Sequence, residues 1–239
     1  MKIKGTGIYT DATGKSKNIL GICDLSNEEN LRELKVSGKV SFEKISCAKV
    51  NVSGECKGDS LAAQAVKISG EFSVEEIACD EVNISGKCKG QSLNTKNFLG
   101  SGKIKLGSLK VEETLQFSGE ARIDSLTADE IFIATRNGLI GSVKCRKIKI
   151  FDDSERFSGK FFGKIFSVHS SLSKSRSRVL IKNIEADTVD LENCEVNVIR
   201  CKDAFIGANC VIDKLHVSGE CKVADDSTVG ETIRTNPDV

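Results

Sequence analysis

Apolar residues recur two apart along most of this chain, in short pairs divided by polar residues. Leu34/Val36, Val50/Val52, Val66/Ile68, Val82/Ile84, Leu115/Phe117, Ile131/Ile133 and Ile148/Ile150 stand ahead of a corner. Val40/Phe42, Phe72/Val74, Ile104/Leu106 and Ala121/Ile123 follow one. A third set reads Ile45/Cys47, Leu61/Ala63, Ile77/Cys79, Leu93/Thr95, Leu126/Ala128 and Val143/Cys145. Alternation with period two predicts strands that bury one face. The corners are Ser-Gly pairs whose glycines, Gly38, Gly54, Gly70, Gly86, Gly102 and Gly119, follow one another by 16, 16, 16, 16 and 17 residues. Units this short cannot bury an apolar face alone, so neighbours must stack into one core. Three strands in each 16 to 17 residues predict an all-β fold. That fold is a right-handed, three-sided parallel β-helix (solenoid), with glycine where the chain turns sharply.

A longer beat overlies the first. Residues 38–69 and 70–101 align without gaps and share 15 identities in 32 positions, Cys47 matching Cys79 and Cys56 matching Cys88. Small pairs such as Cys56/Gly58 alternate with large ones such as Phe72/Val74, which fills a narrow core without voids. After each corner glycine stand Lys39, Glu55, Glu71, Lys87, Lys103 and Glu120, so some adjacent coils face each other with opposite charges.

The pattern divides the chain into segments. Residues 1–33 read as an N-terminal cap and half coil, with a capping box and helical turn over Ser26 to Glu33. Residues 34–150 form the main β-helix, 179–228 the terminal coils and 229–239 a frayed tail. Between Ile206 and the return at Leu215/Val217 lie too few residues for a full turn, which predicts a shortened coil. The interruption, 151–178, holds five of the eleven phenylalanines, and seven basic residues but no acidic one lie between Arg156 and Lys182. It reads as a loop or short helix covering the stack. Its other reading is a patch for a membrane surface or an anionic partner, made by Phe157, Phe161, Phe162, Phe166, Lys160, Lys164, Arg176 and Arg178.

Composition narrows the function classes. Lys plus Arg number 35 and Asp plus Glu 34, a balance that argues against nucleic acid as a partner. The start from Met1 to Asn18 is polar and Gly-rich, and no apolar run approaches the length of a membrane span, so the expected location is cytoplasmic. Ten cysteines occur without any Cys-x-x-Cys, beside two histidines, His169 and His216, so zinc spacing is missing. Cys47 and Cys79, or Cys56 and Cys88, fall two coils apart, about 10 Å, beyond disulfide reach. Most of the ten share columns with Ala and Thr and read as small buried hydrophobes in a reducing compartment. No catalytic, cofactor-binding or metal-ligating residues emerge, and a period of 16 does not fit the six-residue repeat of left-handed acyltransferase helices.

The Val-Ser-Gly and Ile-Ser-Gly corners with their Cys/Ala columns over 34–150 resemble those of the bactofilins, polymer-forming cytoskeletal proteins of bacteria. So does the stretch from Val198-Ile199-Arg200-Cys201 through Ile206-Gly207-Ala208-Asn209-Cys210-Val211-Ile212. The likeness covers about two thirds of the chain and looks closest to the longer Gram-positive type. It implies a right-handed β-helix that polymerises end to end without nucleotide, a scaffold for envelope or motility machinery. Residues 151–178 and the missing Pro-rich tails depart from it. The expected function is therefore a non-enzymatic, self-associating scaffold, with copies of itself as partner and no cofactor. The alternative is a monomeric or dimeric binding module that docks on a membrane surface or envelope-associated protein through the Phe/basic segment. A carbohydrate-active β-helix enzyme is a third class, and it would need an acidic or basic cluster on one face with an adjacent groove, and long inserted loops, which 34–150 lacks.

Overall fold

A computed structural model describes residues 2–4, 8–10, 15–135, 137–151 and 178–235. Every regular element among them is a β-strand, and all but the first two stack in parallel as a β-solenoid. The chain divides between Glu113 and Thr114 into two compact units, inside the segment that the sequence pattern treats as one body.

The amino-terminal unit contains β1 (Lys2–Lys4), β2 (Ile8–Thr10), β3 (Ser16–Ile19), β4 (Ile22–Val36), β5 (Lys39–Val52), β6 (Glu55–Ile68), β7 (Glu71–Ile84) and β8 (Lys87–Val111). From β5 to β7 the register is constant: Val40 lies on Cys56 and Cys56 on Phe72, while Ile45 lies on Leu61 and Leu61 on Ile77. β5 buries three sets of alternate residues, and β7 does the same except that Cys79, the partner of Ile77, is half-buried. Large and small residues interlock across coils. A Cβ added at Gly58 would stand 2.2 Å from the Phe42 ring, so the missing side chain is the space that ring fills. Complete burial of Phe72, Phe98 and Phe117 stabilises by about 1.5–3 kcal/mol each.

The amino-terminal stretch corrects the helical turn expected over Ser26 to Glu33. Those residues belong to β4, which lies in parallel on β5. The register slips between Glu28 and Leu31, where Asn30 takes a left-handed φ of 56°. A polar run resembling a capping box is here a bulged strand, because Leu31, Leu34 and Val36 must face the core. The coil is therefore complete, not half. Its outer edge is covered differently: β1 pairs antiparallel with Ile22 to Asp24, and β2 pairs antiparallel with β3.

The carboxy-terminal unit contains β9 (Thr114–Thr127), β10 (Glu130–Ala134), β11 (Gly138–Lys144), β12 (Lys147–Phe151), β13 (Val179–Leu191), β14 (Cys194–Ile206), β15 (Val211–Val217), β16 (Cys221–Val223) and β17 (Thr228–Arg234). β13 pairs in parallel with both β11 and β12, Val179 lying on Gly138 and Val189 on Ile148. The coils after the interruption thus continue the stack that precedes it. Two expectations are corrected. Leu215 and Val217 lie on Ile199 and Cys201, a full coil away, so no coil is shortened. Of the tail 229–239, expected to fray, residues 229–234 belong to β17 (Thr228–Arg234), which pairs with β15.

Candidate functional site

The corner glycines come first because the repeat is built on them. Gly38, Gly54, Gly70 and Gly86 have no left-handed φ, and among the six only Gly102 (108°) and Gly119 (126°) do. The requirement at the others is close approach, not sharp turning. A Cβ on Gly54 would meet the Gly38 carbonyl oxygen at 1.9 Å, and one on Gly70 would meet that of Gly54 at 2.1 Å. Beside them runs a serine ladder: the hydroxyls of Ser53, Ser69 and Ser85 donate to the carbonyls of Val36, Val52 and Ile68, each at 3.3 Å. The corner series is a structural seam with its polar groups engaged.

Of the expected partner patch, Phe157, Phe161, Phe162, Phe166, Lys160, Lys164 and Arg176 lie outside the described residues. Arg178 is described, and its Nη2 donates to Asn209 Oδ1 at 2.8 Å. Asn209 in turn donates to Asn193, and these two asparagines hold left-handed φ values of 58° and 56°. Two corners of the carboxy-terminal unit are therefore turned by asparagine in the left-handed conformation. The paired Asn-Cys dipeptides at 193–194 and 209–210 carried that signal in the sequence.

The cysteines are buried at Cys23, Cys47, Cys56, Cys88, Cys194 and Cys210 and half-buried at the rest. Burial pushes the Cys56 and Cys88 thiols up to about 12 and Cys79 up to about 11, which keeps them protonated and unreactive at neutral pH. Cys79 lines a groove of about 500 Å³ with Ala63 and Thr95. The Thr95 hydroxyl lies 2.9 Å from the Asp80 carbonyl and 3.0 Å from that of Asn97, and Lys96 pairs with Asp80 at 2.9 Å. Its polar groups serve the corner rather than converge on a reacting atom. Among the described residues, no group of three or more His, Cys, Asp and Glu stands together to hold a metal. Among them, too, no helix is long and apolar enough to cross a membrane.

Two features remain that present ordered groups outward. The first is the sheet face after the corner glycines in the amino-terminal unit. Lys39 pairs with Glu55 at 3.0 Å and Lys87 with Glu71 at 2.5 Å, across adjacent coils. The hydrogen bond from Lys39 holds the Glu55 carboxyl below its ordinary range, and Lys87 does the same for Glu71. A shallow depression of about 210 Å³ lies among these side chains over Ser73, between Lys57 and Lys89.

The second feature is the last coil of the carboxy-terminal unit. β17 pairs with β15 on one side. The Thr235 amide donates to the Val217 carbonyl at 3.1 Å. Amide directions alternate along a strand, so Ile233 and Glu231 point inward with Thr235, while Thr232 and Arg234 present theirs on the outer edge. Over this end Val223 is 43 % exposed, and Val229 and Ile233 are half-buried. The opposite situation holds in the amino-terminal unit, where the outer edge of the first coil is occupied by the short, lysine-bearing β1 and by β2. No protein-family model, curated protein or solved structure matches this chain.

Proposed function

We propose that this chain is a non-enzymatic structural scaffold that associates with copies of itself end to end, strand edge to strand edge, without nucleotide. The observation that carries the reading is β17, seven residues long and paired with β15 along one side, with no strand among the described residues on the side to which the Thr232 and Arg234 amides point. An uncovered strand edge is a template for another chain. Within β17 the half-buried Val229, stacked on buried Ile212, adds apolar area that a second coil would cover. The parallel stack needs no cofactor to extend, because each coil is held by the ladder and core of its neighbour. The resemblance to bactofilin corners supports the same reading and adds a cytoskeletal role in a bacterial cytoplasm.

Thr232→Pro tests it. Proline at 232 removes an outward amide and leaves the inward ladder to β15 in place. Negative-stain electron microscopy and sedimentation velocity should find end-joined particles for the unaltered chain and none for this variant, with equal circular dichroism. End-joined particles that persist in Thr232→Pro would overturn the edge as the joint.

A further inference from the structure

We propose that Cys194 and Cys210, in the carboxy-terminal unit, are a dithiol site that hydrogen peroxide oxidises to a disulfide, stapling two adjacent coils together. The register places them. Glu195 lies on Val211 in the β14–β15 ladder, so the residues just before these, Cys194 and Cys210, occupy one column on adjacent coils. Stacked strands lie about 4.8 Å apart, inside the Cα separation of about 4.4–6.8 Å that a disulfide needs. Elsewhere the pattern keeps cysteines apart. Cys47 and Cys79 stand on either side of Ala63, and Cys56 and Cys88 on either side of Phe72. Among the described residues, no other two cysteines share a column on adjacent coils.

The side chains meet as well. The two thiols lie within hydrogen-bond reach of each other, and the Cys194 amide also reaches the Cys210 sulfur. Both are fully buried, Cys194 Sγ standing 3.2 Å from the Glu192 carbonyl oxygen and Cys210 Sγ 3.4 Å from that of Leu191. The left-handed corners at Asn193 and Asn209, bonded side chain to side chain, fix both backbones immediately before the cysteines. The two sulfurs differ in character. Burial holds Cys194 as a thiol, while hydrogen bonds from Cys194, with the Arg178 guanidinium nearby, favour the thiolate of Cys210. Arg178 is itself held by Asn209 at 2.8 Å. Cys210 is therefore the attacking sulfur and Cys194 the resolving one.

Access comes from the end of the stack. The coil over Cys210 is the last: the Thr228 amide donates to the Cys210 carbonyl at 2.9 Å, and the Cys210 amide donates to the Ser227 hydroxyl at 2.8 Å. β17, which begins there, has no buried residue, so this coil opens more readily than the inner ones. Once it opens, the Cys210 thiolate attacks one peroxide oxygen. The O–O bond breaks, a sulfenic acid forms on Cys210, and the departing hydroxide takes up a proton as water. The Cys194 sulfur then attacks the Cys210 sulfur, the S–O bond breaks, and the second hydroxide leaves as water with the Cys194 proton. Two thiols and one hydrogen peroxide give one disulfide and two waters. The site goes beyond the edge joint and does not depend on it.

The test treats the whole chain with hydrogen peroxide, blocks the remaining thiols and maps non-reduced peptides by mass spectrometry. A Cys194–Cys210 peptide pair should form with the loss of two hydrogens. The thermal midpoint should rise by roughly 5–10 °C as the loop closes, and dithiothreitol should reverse both changes. Cys194→Ala should leave Cys210 as a sulfenic acid that dimedone labels. Ser227→Ala, which loosens the covering coil, should speed the crosslink severalfold. Absence of the 194–210 pair, or a midpoint that does not move when it forms, overturns the proposal. Equal crosslinking rates in Ser227→Ala and the parent overturn the route through the last coil. Mapping of the parent chain decides the pairing whether or not either variant folds. Failure of the edge joint shows separately, as a parent chain and Thr232→Pro that assemble alike.

Discussion

The carbonyl oxygen of Gly38 lies 1.9 Å from the point a Cβ on Gly54 would occupy. Contacts under 3 Å to backbone cannot be relieved by turning a side chain, so the coil spacing itself must give. Gly54→Ala should lower stability by about 1–3 kcal/mol through overpacking, read as a fall in the thermal midpoint. Gly138→Ala, whose nearest atom is Val179 Cγ1 at 3.2 Å, should fall far less. Equal effects at the two sites would mean that the corners tolerate a methyl group.

The inward columns make a second prediction. Ile77 is 2 % exposed, between Leu61 and Leu93 on the adjacent coils. Ile77→Asp should abolish the folded stack or cost about 3–5 kcal/mol, the scale of an uncompensated buried charge. Lys87→Glu breaks the exposed pair with Glu71 and should barely move the midpoint. Urea titration followed by circular dichroism compares them. Comparable losses would refute the assignment of faces.

Residues 152–177 interrupt the sequence pattern but not the stack. Phe151 lies on Ala134 and Val179 on Gly138, so the chain leaves the stack and rejoins it at positions that one coil earlier are separated by three residues. Deleting 154–177 leaves Asp152, Asp153 and Arg178, the same corner length. The deletion should keep the strand content and a thermal midpoint within a few degrees, since β13 gains its pairing from β11 and β12. Loss of folding would show that the coils after 178 depend on the segment itself.

Alkaline pH should unfold the protein in a defined window. Cys56 and Cys88 are held as thiols up to about 12 in the fold, against 9.0 when free. Raised folded values mean that their contribution is complete below pH 9 and falls as pH rises from 9 toward 12, by about 1.4 kcal/mol per pH unit for each thiol. The double variant Cys56→Ala/Cys88→Ala should begin less stable and lose less between pH 9 and 11. An identical slope would remove these thiols as its cause.

The period and the inward pairs were legible because a strand's alternation is local: Val50 and Val52 point one way whatever lies beyond them. Cross-coil charge pairs such as Lys39–Glu55 were legible for a related reason, since a constant period converts spacing in sequence into adjacency in space. The same logic misled at Ser26 to Glu33, whose polar spacing suits a helix start but whose Leu31 and Leu34 are claimed by the core. It misled again at Leu215, where counting from the preceding apolar pair missed its true neighbour, Ile199.

What the sequence by itself determined, then, is a stacked all-β solenoid, its columns and the small residues that fill it. Period and alternation are properties of neighbouring residues, and each coil repeats them. Only the tertiary structure decided why Gly54 must be glycine, since the obstacle is the Gly38 carbonyl one coil away. It alone decided that β13 closes on β11 and β12 across the interruption, that the first coil's edge is covered by antiparallel strands, and that β17 presents an outer edge. Those are questions of which backbone groups find partners at long range, and the energy that answers them belongs to pairs of coils, not to any one stretch of chain.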